Sequence, residues 1–194
     1  MLSGEVVTFI PSGKCSIENS IYSEEENAAY LYACEKDITT IKTIQAARMH
    51  DQLTRAEMAK IVSQYLITQI PERTPNLEKD CSAFNASIAH YQGTDLYDYM
   101  TLACQYEVMG IHPDYTPLTD FMPDKYVSRA EFGTIFSRIL RGKTNEGSNQ
   151  FRYQNHLLAL RNAKIISNID PTLLELRAWV FLQLYRAATM EIEE

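Results

Sequence analysis

A chain of 194 residues with 45% hydrophobic and 22% charged residues has the apolar content for one globular domain. Its formal charge of -7 argues against nucleic acid as a partner, because binding to a phosphate backbone is built on clustered Lys and Arg. No apolar run approaches the ~20 residues needed to span a bilayer, and Met1-Leu2-Ser3-Gly4-Glu5-Val6-Val7 lacks the basic region and apolar core of a signal peptide.

Residues 1 to about 14, with Pro11-Ser12-Gly13 near their end, read as a linker. Ser23 followed by Glu24, Glu25 and Glu26 is an N-cap with acids complementing the helix dipole, so a helix is predicted from about Glu24 to Glu35. A loop through Thr39–His50 leads to Leu53-Thr54-Arg55-Ala56-Glu57-Met58, where Thr54 and Glu57 are spaced as a capping box. Met58, Ile61, Val62, Tyr65 and Leu66 then give the stripe of a helix buried on one face, stopped by Pro71 and Pro75.

The same pattern returns downstream. A helix is predicted from about Asp95 to Val108, with Gly110 as its left-handed cap. The loop His112–Tyr126 holds Pro113, Pro117 and Pro123 and shows no helical pattern. Val127-Ser128-Arg129-Ala130-Glu131-Phe132 then repeats the earlier helix start, with Phe132, Ile135, Phe136, Ile139 and Leu140 at the same offsets. This helix should run from Arg129 to about Arg141, and Gly142–Ser148 is a flexible connector. A worn third copy follows, with a helix over Tyr153–Ala163 and then Leu176-Arg177-Ala178-Trp179-Val180 at the motif position. Thr172 and Glu175 are spaced as another capping box, so either the cap falls one turn earlier in this copy or the register differs. A duplicated helix start with a duplicated packing face means a repeat protein. The expectation is an all-α fold of three helix-loop-helix repeats, about 15–70, 81–141 and 150–189, in a single domain over 15–190.

The cysteines follow the repeat. Cys15-Ser16 is echoed by Cys81-Ser82, and Ala33-Cys34 by Ala103-Cys104. Four cysteines admit three connectivities, and the repeat favours Cys15–Cys34 and Cys81–Cys104. Each bridge would close a loop of about 20 residues, worth roughly 3 kcal/mol in the chain-entropy model. Bridges imply an oxidising, extracytoplasmic compartment; the alternative is four buried thiols in a cytosolic protein.

Three copies of helix, loop and a Ser/Thr-Arg-Ala-Glu helix resemble the S-layer homology (SLH) domain. Gly110-Ile111-His112-Pro113-Asp114-Tyr115-Thr116 is similar to that family's Gly-Tyr-Pro-Asp-Gly-Thr loop, Phe121-Met122-Pro123 to its Phe-x-Pro, and Val127–Phe132 to its Thr-Arg-Ala-Glu-Phe. The resemblance covers nearly the whole chain. It implies a pseudo-threefold module in which the motif helices form a central three-helix bundle. It also implies an extracellular place at the cell surface or cell wall, as part of a longer exported chain. The partner would be an acidic, commonly pyruvylated, polysaccharide held in grooves between repeats. Other surface-layer subunits would be further partners. Arg55, Arg129 and Arg177 are then the expected ligand contacts, with Thr54, Ser128, Gly110 and Asp114 beside them. Arg55 and Arg129 sit in a first helical turn, where unpaired N–H groups and the dipole favour an anion. The bland alternative is that these arginines neutralise neighbouring acids or pack their stems.

There are departures. The family's Trp ahead of the first helix is missing from every repeat. Trp179, the sole tryptophan, stands where Glu57 and Glu131 do and reads as a core residue rather than a sugar platform. Tyr115 replaces a loop glycine. Tyr22, Tyr30, Tyr32, Tyr97, Tyr99 and Tyr106 are the aromatic candidates for sugar stacking, and Asn85-Ala86-Ser87 fits a glycosylation acceptor. His50, His90, His112 and His156 are scattered without metal-ligand spacing, and no phosphate loop or nucleophile arrangement occurs. The expected protein is therefore not an enzyme and needs no cofactor or metal. It would anchor other domains to the envelope; the alternative is a protein–protein or surface-layer assembly module that binds no glycan.

Overall fold

The computed structural model describes residues 12–146 and 153–189. Residues 1–11 of the expected linker (1–14), the Gly147-Ser148 end of the connector, the start of the third repeat at 150–152 and the domain end at 190 lie outside them. Among the described residues the chain is helical, with isolated bridges but no strand. The helices are α1 (Glu24–Glu35), α2 (Ile44–Ala47), α3 (Arg55–Gln69), α4 (Asn85–Ile88), α5 (Asp95–Gln105), α6 (Arg129–Arg141), α7 (Tyr153–Asn162) and α8 (Arg177–Thr189). Short 3-10 turns at Ser82–Phe84 and Ala89–Tyr91 flank α4.

Capping boxes open α3 and α6 where the sequence placed them, and Ser23, expected as an N-cap, forms one with Glu26 at the start of α1. Thr54 N donates to Glu57 Oε2 (3.0 Å) while Glu57 N donates to Thr54 Oγ1 (3.3 Å), and Ser128 and Glu131 repeat the exchange at 2.9 and 3.3 Å. The third copy departs from expectation. Thr172 turns its amide and hydroxyl to Asp170, and Glu175 points into the core, so no box forms between them. Leu176 O instead accepts from Val180 N (3.1 Å), as Thr54 O accepts from Met58 N (2.9 Å) and Ser128 O from Phe132 N (3.0 Å). Arg177 is therefore in register with Arg55 and Arg129, and the cap is not a turn early.

Helices α1, α5 and α7 end alike, on a non-glycine residue in the left-handed region: Asp37 (φ 57°), Glu107 (φ 59°) and Lys164 (φ 58°). The next residue reaches back each time, Ile38 N to Ala33 O (2.8 Å), Val108 N to Ala103 O (3.1 Å) and Ile165 N to Leu160 O (2.9 Å). This left-handed turn stops α5 at Gln105, short of the expected Val108. Gly110 (φ 68°) is not the cap. It lies in the loop beneath two rings, where a Cβ would meet Phe121 at 3.0 Å and Phe84 at 3.1 Å. Helix α2 falls in the stretch Thr39–His50 read as loop, and α4 in a stretch given no element, because four residues are too few for a periodic pattern.

Packing runs between copies. Helix α3 packs on α5, α6 on α7, and α8 returns to α1. Tyr65 of α3 also meets the Phe136 ring of α6 edge-on, 5.8 Å between centroids. The motif helices begin around three backbone hydrogen bonds that close on themselves: Val127 N to Leu53 O (3.0 Å), Glu175 N to Val127 O (2.8 Å) and Leu53 N to Glu175 O (3.1 Å). All three residues are buried. Disulfides join Cys15 to Cys34 and Cys81 to Cys104, the pairing that the repeat favoured. Arg161 occupies the corresponding place after Leu160 in the third copy.

Two substitutions should move stability in opposite directions. Gly110→Ala adds a methyl against Phe121 and Phe84 in a left-handed residue and should cost about 2 kcal/mol. Lys164→Gly relieves a strained φ at an exposed site and should gain about 0.5–1 kcal/mol. Denaturant midpoints of the two variants check both signs.

Candidate functional site: clefts between the helical units

The first N–H groups of the motif helices are not free. Arg55 N and Ala56 N donate to Lys125 O (2.9 Å) and Pro123 O (3.0 Å). Arg129 N and Ala130 N donate to Leu173 O (2.7 Å) and Pro171 O (3.2 Å), and Arg177 N and Ala178 N to Asp51 O (3.0 Å) and Met49 O (2.7 Å). Each helix start is thus completed by the loop of another unit. The orphan donors expected to attract an anion are already satisfied.

The arginine side chains also reach from one unit to another. Arg55 Nε donates to Phe121 O (2.8 Å) and Nη1 to Glu131 Oε1 (3.1 Å). Arg177 Nη1 donates to Ala47 O (2.6 Å) and Nη2 to Glu57 Oε1 (2.7 Å). Arg129 grips Glu175 with two donors, Nε to Oε1 and Nη2 to Oε2 (3.2 Å), and gives Nη1 to Asn168 O (2.8 Å). All three arginines are under one-tenth exposed. Every motif arginine therefore meets an acid of another unit, the geometry of the bland alternative. The acids differ in setting. Burial pushes Glu131 up, but the Ser128 N–H, Lys125 and Arg55 outweigh it and hold the carboxyl below the ordinary range. Glu175 is wholly buried, and burial drives its carboxyl upward against the pull of Arg129.

The third unit reaches this pairing by a different route. Glu57 and Glu131 stand at the third helical position of α3 and α6 and serve as cap and ion-pair partner together. In α8 that position is Trp179, and the acid has moved to the ring position that Leu53 and Val127 occupy. Trp179 is not a core residue: it is partly exposed, with the Arg129 guanidinium 5.3 Å from its ring centre.

Two cavities lie along these boundaries. One, of about 250 Å³, is walled by Trp179, Gln183, Arg186, Arg129, Asn168 and Ile166, among others. The other, of about 260 Å³, is walled by Arg48, Asp51, Glu57, Tyr91, Tyr126 and Arg177 with their neighbours. In the second, Tyr91 donates to Asp124 Oδ1 (2.7 Å); that bond and burial push its phenol up to about 12, so it stays a donor. Thr54 reaches this cavity, while Ser128 serves as a cap. Gly110 is buried under aromatic rings, and Asp114 accepts from Thr116 in its own exposed loop. Neither lines a described cavity. Tyr30, Tyr32 and Tyr106 are core residues, so the cavity aromatics are Tyr91, Tyr126 and Trp179 instead. Trp179 was recoverable from its place in the repeat; Gln183, Arg48 and Arg186 carry no sequence signal.

The disulfides are compatible with an extracellular protein, and no described helix is long and apolar enough to cross a membrane. No protein-family model matches the chain, and no curated protein matches it.

Arg129→Met leaves Glu175 as an unpaired buried carboxylate and should cost about 3–5 kcal/mol. Adding Glu175→Leu, which restores an apolar residue at that ring position, should recover most of the loss. A four-member denaturation cycle measures the coupling.

Proposed function

We propose that this chain is a non-catalytic module that tethers a larger surface protein to the cell envelope by holding polysaccharide between its units. On this reading the three helix-loop-helix units form a pseudo-threefold SLH-like module around the buried ring at Leu53, Val127 and Glu175. One observation carries the proposal: two cavities lined with aromatic and polar side chains sit at unit boundaries, each beside a motif arginine. That is the arrangement from which sugars are gripped, with rings for apolar sugar faces and fixed donors for hydroxyls. The arginines serve the clefts chiefly by fixing their walls, since each is already paired. A second reading, surface-layer assembly without glycan, is favoured by the exposed Met122, Tyr126 and Leu174.

Calorimetric titration of the oxidised protein with polysaccharide released from de-proteinised bacterial envelopes tests the choice. Saturable binding is expected, weakened at least tenfold by Tyr126→Ala with Arg48→Asn. Both positions are exposed, and asparagine tolerates the left-handed φ of 52° at residue 48. No binding, together with concentration-dependent oligomers in sedimentation, would establish the assembly reading instead.

A further inference from the structure

Gln183 is 2% exposed and forms part of the wall of the cavity beside Trp179. Its Nε2 donates to Glu175 Oε2 (3.4 Å), which fixes the amide: the carboxylate requires a donor, so Oε1 is the atom left over. Among the described residues that buried oxygen has no hydrogen-bond partner. A buried acceptor left unpaired is costly, and a small shift of the amide toward the cavity would let a ligand donor relieve it.

The charges of the same wall cancel. Both oxygens of Glu175 accept from Arg129, the arrangement of an ionised pair. Arg186 is likewise gripped by Glu25, Nε to Oε1 (2.6 Å) and Nη2 to Oε2 (2.8 Å). An anion entering here would compete with two carboxylates already bound in paired geometry. An uncharged polar ring meets no such competitor. Its hydroxyl or amide N–H can serve Gln183 Oε1, its oxygens can accept from the N–H capacity remaining on Arg129 Nη1 and Nη2, and its apolar face suits the indole.

We infer that the Trp179 cavity holds an uncharged sugar residue that donates a hydroxyl or amide hydrogen to Gln183 Oε1. This rests on the glycan-binding reading and departs from the acidic residue that the SLH resemblance implies. Trp179 is the sole tryptophan, so its emission reports on this cavity alone.

The test titrates wild-type protein with oligosaccharides from mild hydrolysis of the same envelope polysaccharide, separated by anion exchange into uncharged and anionic pools. The uncharged pool should change Trp179 emission saturably, at concentrations at least tenfold below any effect of the anionic pool. Gln183→Met, with folding verified by circular dichroism, should weaken that response about tenfold, and Trp179→Phe should abolish the signal. A stronger response to the anionic pool overturns the inference. So does intact polysaccharide binding that leaves Trp179 emission unchanged, an outcome that spares the wider reading. Absence of binding by the polysaccharide and both pools ends both.

Discussion

The three backbone hydrogen bonds linking Leu53, Val127 and Glu175 are the constraint on which the rest of the architecture hangs. A helix start exposes N–H groups that must find acceptors, and here the acceptors come from outside the unit. The carbonyls two and four residues ahead of each ring position, such as Lys125 O and Pro123 O, supply them. Closing the ring fixes those carbonyls at the mouth of the neighbouring helix. No unit finishes its own helix, so the units stand or fall together.

Buried guanidinium groups impose a second demand, because a desolvated charge without a partner is far more costly than one held by a carboxylate. In two units one glutamate meets that demand while also capping its helix. The third unit divides the two tasks. Glu175 takes the charge from inside the ring, and Leu176 brings no hydroxyl for capping. The freed position holds an indole, and with it comes a wall that neither other unit can build. The structural difference between the third unit and the other two follows from that single exchange of acid and aromatic residue.

Local signals were legible and long-range ones were not. Thr54, Ser128 and Ser23 announce their helices because capping is settled within four residues. The cysteine pairing was legible because two copies share it. The left-handed turns at Glu107 and Lys164 were invisible, since glutamate and lysine do not advertise that conformation as glycine does. The destination of each arginine was invisible for another reason: Arg55 and Glu131 are joined across units, and no spacing rule relates them. In Thr172 and Glu175 a capping spacing misled, because Asp170 took the threonine and Arg129 took the glutamate.

Helix α1 finds its packing partner in α8, at the far end of the described chain. Contacts so distant in sequence raise the contact order, and loop-closure entropy must be overcome before they reward folding. During synthesis the N-terminal unit waits, its apolar face uncovered, until the last helix has emerged. Such a chain locks only when its last described helix has joined its first.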